Sequence, residues 1–307
     1  MNHPANARHV LFVGAAVLDT LFRVRSIPAR PGKVLPDEML QVAEGMASSA
    51  AYAAVRLGGM ASLWAAVGDD AAGQQITSEL ADAGINVGGV LQAAGARSAV
   101  STILIDDDGE RLIVPFYDKR LHHEIRDVTP GDLAGFDAVM VDVRWPALAV
   151  NVLRAARQAG IPAILDGDVA PAATLDMLAT EGDHLLFSEP AAHLLSDSPD
   201  PAEAAAILKK RYPHALVAVT AGEHGCYWWN EATGAVAHVA TFPVKAVDTL
   251  AAGDIFHGAY ALLTAEGLAT QESIRVASAA AALKCTVFGG RLGAPDRAAV
   301  FALMNGC

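Results

Sequence analysis

Four short apolar runs decide the fold: Val139-Met140-Val141-Asp142-Val143, Ala163-Ile164-Leu165-Asp166, His184-Leu185-Leu186-Phe187 and Leu216-Val217-Ala218-Val219-Thr220. Stretches with helical patterning separate them, at 147–159, 171–179 and 201–211. Near-continuous apolar strands joined by helices imply a parallel sheet covered on both faces. The expected class is therefore α/β, a three-layer αβα sandwich with a mostly parallel central sheet.

The flanking sequence extends this pattern. Residues 9–13 read as a buried strand entering the turn Gly14-Ala15-Ala16, 47–57 as an alanine-rich helix stopped by Gly58-Gly59, and 61–67 as a strand. A helix over 73–83 closes at Gly84. Downstream, 226–229 and 236–240 read as a hairpin bridged by 230–234. Trp228 and Trp229 on that hairpin should pack with one ring in and one out. Two helices follow, over 253–266 and 271–287, ending in Gly289-Gly290. Two regions break the alternation. Phe22, Val24 and Ile27 lie among Arg23 and Arg25, and the β-branched runs 99–105 and 111–116 flank Asp106-Asp107-Asp108-Gly109-Glu110. The expectation is one domain over 1–307 with a thin, one-sided β extension built from about 20–43 and 98–117.

Composition narrows the function. Apolar residues make up 53% of the 307-residue chain and charged residues 18%, which excludes a disordered chain. With 22 basic and 34 acidic side chains the net charge is −12, so nucleic acid and anionic membranes are excluded as main partners. No run approaches the ~20 apolar residues of a membrane span. Met1 to Arg8 is polar and carries no leader signature, so a cytoplasmic protein is expected. Cys226, Cys285 and Cys307 are too scattered for a disulfide framework or a zinc site, and read as two core thiols and one free terminal thiol.

The most informative segment is Val247-Asp248-Thr249-Leu250-Ala251-Ala252-Gly253-Asp254-Ile255-Phe256-His257-Gly258-Ala259-Tyr260. Small residues crowd a turn and an acid stands at a helix start. Unpaired N–H groups and the positive dipole end suit a developing phosphate charge. Asp254 there can take the proton of an attacking hydroxyl. It can equally be a plain helix cap, and on spacing alone the cap is the commoner role.

This segment resembles the C-terminal signature of the ribokinase-like (PfkB) carbohydrate kinases, whose core reads D-T-x-G-A-G-D. The resemblance implies that Asp254 is the catalytic base and that the backbone of Ala251, Ala252 and Gly253 is the anion hole. Ala251 stands where Gly is usual, which is harmless at negative φ and strained at positive φ; activity is expected to be retained. Near the N-terminus, Gly14 with Asp19 looks like the family's first strand and its sugar-binding acid. Residues Glu44-Gly45-Met46-Ala47-Ser48-Ser49 before Arg56-Leu57-Gly58 resemble the signature G-G-x-x-x-N. Gly45 and Ser49 then belong to the sugar side, although Glu44 replaces a Gly and Ser49 an Asn. Gly68-Asp69-Asp70 with Gly73 fits the family's G-x-D-x-x-G turn.

The same resemblance implies a nucleotide side. Thr220, Gly222 and Gly225 match T-x-G-x-x-G, where an ordinary strand-to-hairpin turn is the other reading. Thr249 belongs to the signature, and 277–284 with Gly289-Gly290 looks like the wall of the adenine pocket, which brings in Lys284 and Gly289. ATP is the implied cofactor, with Mg²⁺ and room for a monovalent cation. The family's N-x-x-E stretch is replaced by Ser188-Glu189-Pro190-Ala191, leaving Glu189 as the candidate near the metal. No G-x-x-x-x-G-K-[ST] occurs, nor a G-x-G-x-x-G after a strand, which excludes a P-loop kinase and counts against a dinucleotide enzyme.

For the substrate, Asp142 and Arg144 lie two apart at a strand end and should share one face. Arg144 can make a paired contact with an anionic group. Lys33, Lys119, Arg23 and Arg25 lie in or beside the β extension, most of them as solvated cations. Lys33 after Pro31-Gly32 and Arg144 before Trp145-Pro146 resemble the sulfofructose kinase branch, which implies a sulfonated ketose phosphorylated on its 1-hydroxyl. Fructose-like ketoses and 2-keto-3-deoxysugar acids stay open. His122-His123 reads as a polar loop rather than a metal site. His257, three residues after Asp254, is either a substrate neighbour or a wall residue. The family resemblance further implies that the β extension closes as a lid and mediates a homodimer. Two rivals remain: a catalytically weak sugar- or nucleotide-binding protein, and a nucleoside kinase using Phe22 and Phe116 for stacking.

Overall fold

A computed structural model describes residues 7–123 and 126–306, so Cys307 and most of the polar N-terminus lie outside the described residues. The chain begins with β1 (His9–Gly14), β2 (Val17–Arg23) and β3 (Glu38–Glu44), then α1 (Met46–Arg56), β4 (Met60–Gly68) and α2 (Ala71–Asp82). β5 (Leu91–Ala93), β6 (Ala99–Ile105) and β7 (Arg111–Phe116) follow. The expected alternation then runs through β8 (Ala138–Val141), α3 (Pro146–Ala159), β9 (Ala163–Gly167), α4 (Ala172–Glu181) and β10 (His184–Ser188). It continues with α5 (Glu189–Ser196), α6 (Pro201–Arg211) and β11 (Leu216–Thr220). The hairpin β12 (Cys226–Asn230) and β13 (Ala235–Val239) precedes α7 (Ala252–Ala265), α8 (Thr270–Lys284) and α9 (Arg297–Gly306).

Nine strands form one sheet in the order β13-β12-β11-β10-β9-β8-β1-β4-β5, parallel except where the β12–β13 hairpin joins. Side chains alternate across each strand, so β1 sends Val10 and Phe12 into one core and Leu11 and Val13 into the other. The first core packs against α1, α7 and α8, the second against α3, α4 and α6. These are the three expected layers. α7 lies close against α1 because Ala47, Ala50, Ala51 and Ala54 offer little bulk. At the crossing a Cβ on Gly258 would overlap the carbonyl oxygen of Ala50.

The second sheet, β3-β2-β6-β7, matches the expected β extension. Its inner face buries Leu21, Val42, Ile103 and Ile105, while Leu112, Ile113, Val114 and Phe116 of β7 are exposed. Trp228 is buried and Trp229 half-exposed, as the hairpin predicted. Cys226 is a core thiol but Cys285 is only half-buried.

Two expectations change. The last long helix stops at Lys284 rather than 287, because the Cys285 carbonyl accepts the N–H groups of Val247 and Asp248 instead of continuing the helix. α5 and α9 are additional helices; α5 follows β10 without a loop, so no turn residue announced it. No helix among the described residues is long and apolar enough to cross a membrane.

The tight crossing makes a prediction. Gly→Ala ordinarily gains up to ~1 kcal/mol in a helix, yet Gly258→Ala should destabilise by about 1–3 kcal/mol because α1 and α7 must separate. A lower urea midpoint at unchanged m-value would show it; a raised midpoint would contradict the packing.

Candidate active site

A cavity of about 540 Å³ opens between the carboxyl ends of the large sheet's strands and the inner side of the small sheet. Open α/β sheets bind ligands at this edge. Asp19, Gly45, Arg144, Thr220, Thr249, Ala251, Ala252, Gly253 and Asp254, all expected at the site, line it together.

Asp19 comes from β2, where parallel pairing puts it opposite Ser101 of β6. The Ser101 hydroxyl donates to Oδ1 at 2.6 Å. Burial pushes the Asp19 carboxyl up to about 6, opposed by that bond. Glu44 ends β3, and Gly45 turns the chain into α1 with φ +115, where a Cβ would lie 2.6 Å from the Ala15 carbonyl oxygen. Asp142 is fully buried beneath this turn. Its Oδ2 accepts the N–H groups of Ala15 (2.8 Å) and Ala47 (3.1 Å), and its Oδ1 accepts that of Arg144 (2.7 Å). Asp142 and Arg144 therefore do not act as a pair on a ligand. Asp142 holds the backbone while the Arg144 guanidinium reaches the cavity, bonded to the Val169 carbonyl and 3.4 Å from Asp168.

Asp254 occupies the first turn of α7. The cap position is Ala251, and no side chain caps this helix. Among the described residues the Asp254 carboxyl has no hydrogen-bond partner, and it faces the cavity. Asp254 is therefore not the cap of this helix. Burial raises its pKa well above the usual carboxylate range; Glu44, Asp168 and Asp142 add to the rise and Arg144 opposes it. Ala251 sits at φ +62, ψ +6, the left-handed region that favours glycine, so the strained alternative for this substitution is the real one.

The turn before α7 is built on Asp248. Its Oδ1 accepts the Leu250 N–H at 2.8 Å and its Oδ2 the N–H groups of Gly289 and Gly290 at 3.0 Å. Lys284 Nζ, fully buried, lies 3.0 Å from Oδ2 and donates to the Asp248 carbonyl at 2.6 Å. Lys284 and Gly289, expected to wall the adenine pocket, instead hold this turn together. Thr249 lines the cavity, but its hydroxyl is engaged, donating to Gly109 O (3.1 Å) and accepting from Arg111 (2.7 Å). It clasps the small sheet to the body.

Several other expectations are corrected. Ser49 is fully buried and donates to Glu44 Oε2 at 2.6 Å, so it does not itself reach the cavity. Gly222 and Gly225 shape the turn between β11 and β12 and, unlike Thr220, are not cavity walls. Lys33 is exposed outside the cavity, and Glu189 begins α5 without lining it. Sequence reasoning missed Arg111, Tyr117, Asp166 and Asp168, which do line it. Asp166 and Asp168 had a signal: they stand in and just past the end of β9, as Asp142 stands just past the end of neighbouring β8.

Asp166 lies 3.4 Å from His257 Nδ1, and both are buried. Burial drives the Asp166 pKa well above the usual carboxylate range and that of His257 down to about 4. The His257 Nδ1–H donates to the Gly253 carbonyl at 2.7 Å, which makes His257 a wall residue of the α7 turn. His122 stacks on Trp145 at 4.9 Å, in keeping with the non-metal reading.

With this geometry in place the comparisons are unambiguous. The model of the "pfkB family carbohydrate kinase" matches residues 7–297. The chain belongs to that family. A crystal structure described as a putative ribokinase from Agrobacterium tumefaciens is 57% identical, covers 98% of each chain and superposes with TM-score 0.96. Ribokinase from Bacillus subtilis is 26% identical over 97% of this chain and 100% of its own length. Fructokinase-1 from Oryza sativa is 27% identical over 85% and 88%. The fold is thus ribokinase-like, and the family includes kinases of both an aldose and a ketose.

Two substitutions probe the turn of this carbohydrate kinase. Ala251→Gly removes the left-handed strain at some cost in unfolded-state entropy and should stabilise by about 0.5–1 kcal/mol. Lys284→Met leaves Asp248 buried without its cation and should destabilise by about 3–5 kcal/mol. Denaturant titrations of both against wild type check the signs, which should be opposite.

Proposed function

We propose that this chain phosphorylates a hydroxyl of a sugar, ketose or sugar acid with ATP. The observation that carries the reading is the uncapped, unpartnered carboxyl of Asp254 facing a cavity beside the α7 N-terminus. An alcohol seated against Asp19 gives up its proton to Asp254 as its oxygen attacks the γ-phosphoryl in line. The backbone N–H groups of the 251–253 turn receive the equatorial charge, aided by the positive end of α7. Closure of the small sheet over the cavity excludes water from the transfer. Thr220 stands toward the nucleotide.

Mg²⁺ carried on the triphosphate needs one or two carboxylates at most and supplies charge neutralisation. Among the described residues no cluster of three metal-ligating side chains exists. The orphaned Oδ2 of Asp166, the orphaned Oγ of Ser188 and the half-exposed Asp168 beside them fit such an ion, and Glu189 does not.

Arg144 and Arg111 are the cations of the cavity wall, which supports a substrate with an anionic substituent such as a sulfonated or carboxylated ketose. Lys33, outside the wall, adds nothing to the sulfofructose reading. Phe22 and Phe116 do not line the cavity either, which weighs against a stacked nucleoside. Exposed Leu112, Ile113 and Val114 on the small sheet support a homodimer formed there, and ATP as donor suits the cytoplasm.

Asp254→Asn should lower kcat by about 10²–10⁴-fold while calorimetric sugar binding survives. A base with a raised pKa works only when ionised, so kcat should fall as pH drops through that raised value and flatten above it. Retained turnover in Asp254→Asn across ketoses, sulfosugars, keto-acids and nucleosides would remove the proposal. Binding without turnover in the wild type would favour a catalytically weak binding protein.

A further inference from the structure

Glu44 takes no part in the transfer just described, yet it forms part of the cavity wall while only 2% exposed. Both of its oxygens are held. Oε2 accepts from the Ser49 hydroxyl at 2.6 Å, and Oε1 accepts from the Arg291 N–H at 2.7 Å. The backbone behind it is equally fixed, since Gly45 abuts the Ala15 carbonyl and Gly290 packs so closely on Oε1 that no Cβ fits there. A carboxylate has about four acceptor positions, and these bonds occupy two.

Its neighbours on the cavity side are acids. Asp19 raises the Glu44 carboxyl further after burial has done so, to about 7, and Glu44 in turn is the largest charge acting on Asp254. The Arg291 guanidinium offsets this only partly, being engaged behind Glu44 with Glu79 and the Ala43 carbonyl. Among the described residues no donor from the cavity wall bonds Glu44; its two hydrogen bonds come from Ser49 and Arg291, outside that wall. Hydroxyl donors of a ligand would supply one.

We propose that Glu44 is a substrate-contacting specificity residue, positioned by Ser49 and the Arg291 N–H. It accepts a hydrogen bond from a hydroxyl of the phosphoryl acceptor adjacent to the one accepted by Asp19. This inference rests on the sugar kinase reading. It narrows the substrate class to polyols that keep two neighbouring hydroxyls besides the one phosphorylated.

The test is steady-state kinetics and calorimetry with D-ribose, D-fructose and further pentoses and hexoses, followed by singly deoxygenated analogues of the best substrate. Wild type should lose about 10- to 100-fold in KM for two adjacent deoxy positions, the worth of a hydrogen bond to a charged group. Glu44→Gln and Glu44→Ala should raise the parent sugar's KM by a similar factor, with kcat on its high-pH plateau and the ATP KM changed less than about threefold. In these variants one of the two deoxy analogues should no longer be penalised, the non-additivity of two partners in one contact. Ser49→Ala should move sugar KM in the same direction and leave kcat. The deoxy series on wild type needs no variant to fold. Equal tolerance of every single deoxygenation overturns the proposal, as does an unchanged sugar KM in a Glu44→Gln protein that melts like wild type. Failure of the wild type to bind or turn over any sugar overturns the kinase reading instead, a separate result.

Discussion

One buried carboxylate carries the architecture of the site. Asp142 gathers backbone N–H groups from the end of β1, the start of α1 and the turn after β8. Each of these groups leaves its strand or helix at a sheet edge with no regular partner, and a buried orphan N–H is costly. Gly14 packs so tightly on the carboxylate that a Cβ would overlap it. The consequence is positional: Asp19 leads on from β1, Glu44 precedes α1, and Arg144 follows β8, so one side chain sets the relative placement of three cavity groups. Asp248 repeats the device on the other wall, with Lys284 balancing its charge and the turn of Asp254 suspended from it.

The electrostatics of the cavity follow from that construction. Asp19, Glu44, Asp166 and Asp254 all line the cavity, and burial is the first cause of each upward shift. An acidic cavity is an unfavourable host for bare phosphate, so cations must accompany the triphosphate. Arg111 and Arg144 are the cations among the residues that line it.

Local pattern made the sheet legible and most of the turns with it. The four apolar runs, both hairpins and the glycine stops depend on neighbours within a few residues, and these were readable. Roles that depend on distant partners were not. Ser49 matches a sugar-contacting position, yet its hydroxyl is claimed by Glu44, five residues back and on the far side of a turn. Lys284 ends an alanine-rich helix, and only the fold brings it to Asp248, thirty-six residues away. Arg111 sits on a strand with all its residues exposed, and its link to Thr249 joins the small sheet to the turn before α7. The base-or-cap ambiguity at Asp254 had the same origin, since it turns on the φ of a residue three positions earlier.

Ala251 shows how such constraints combine. A left-handed alanine survives only where its surroundings over-determine the backbone. Here Leu250 is tied to Asp248 before it, and the Ala251 carbonyl accepts the first helical bond from Ile255 after it. The strain is therefore fixed in the direction that turns the 251–253 backbone toward the cavity. A chain free to relax at that point would relieve about 1–2 kcal/mol and change how the turn leads into α7. The strained turn and the Asp254 carboxyl form one unit, tied at one end to the buried Asp248–Lys284 pair.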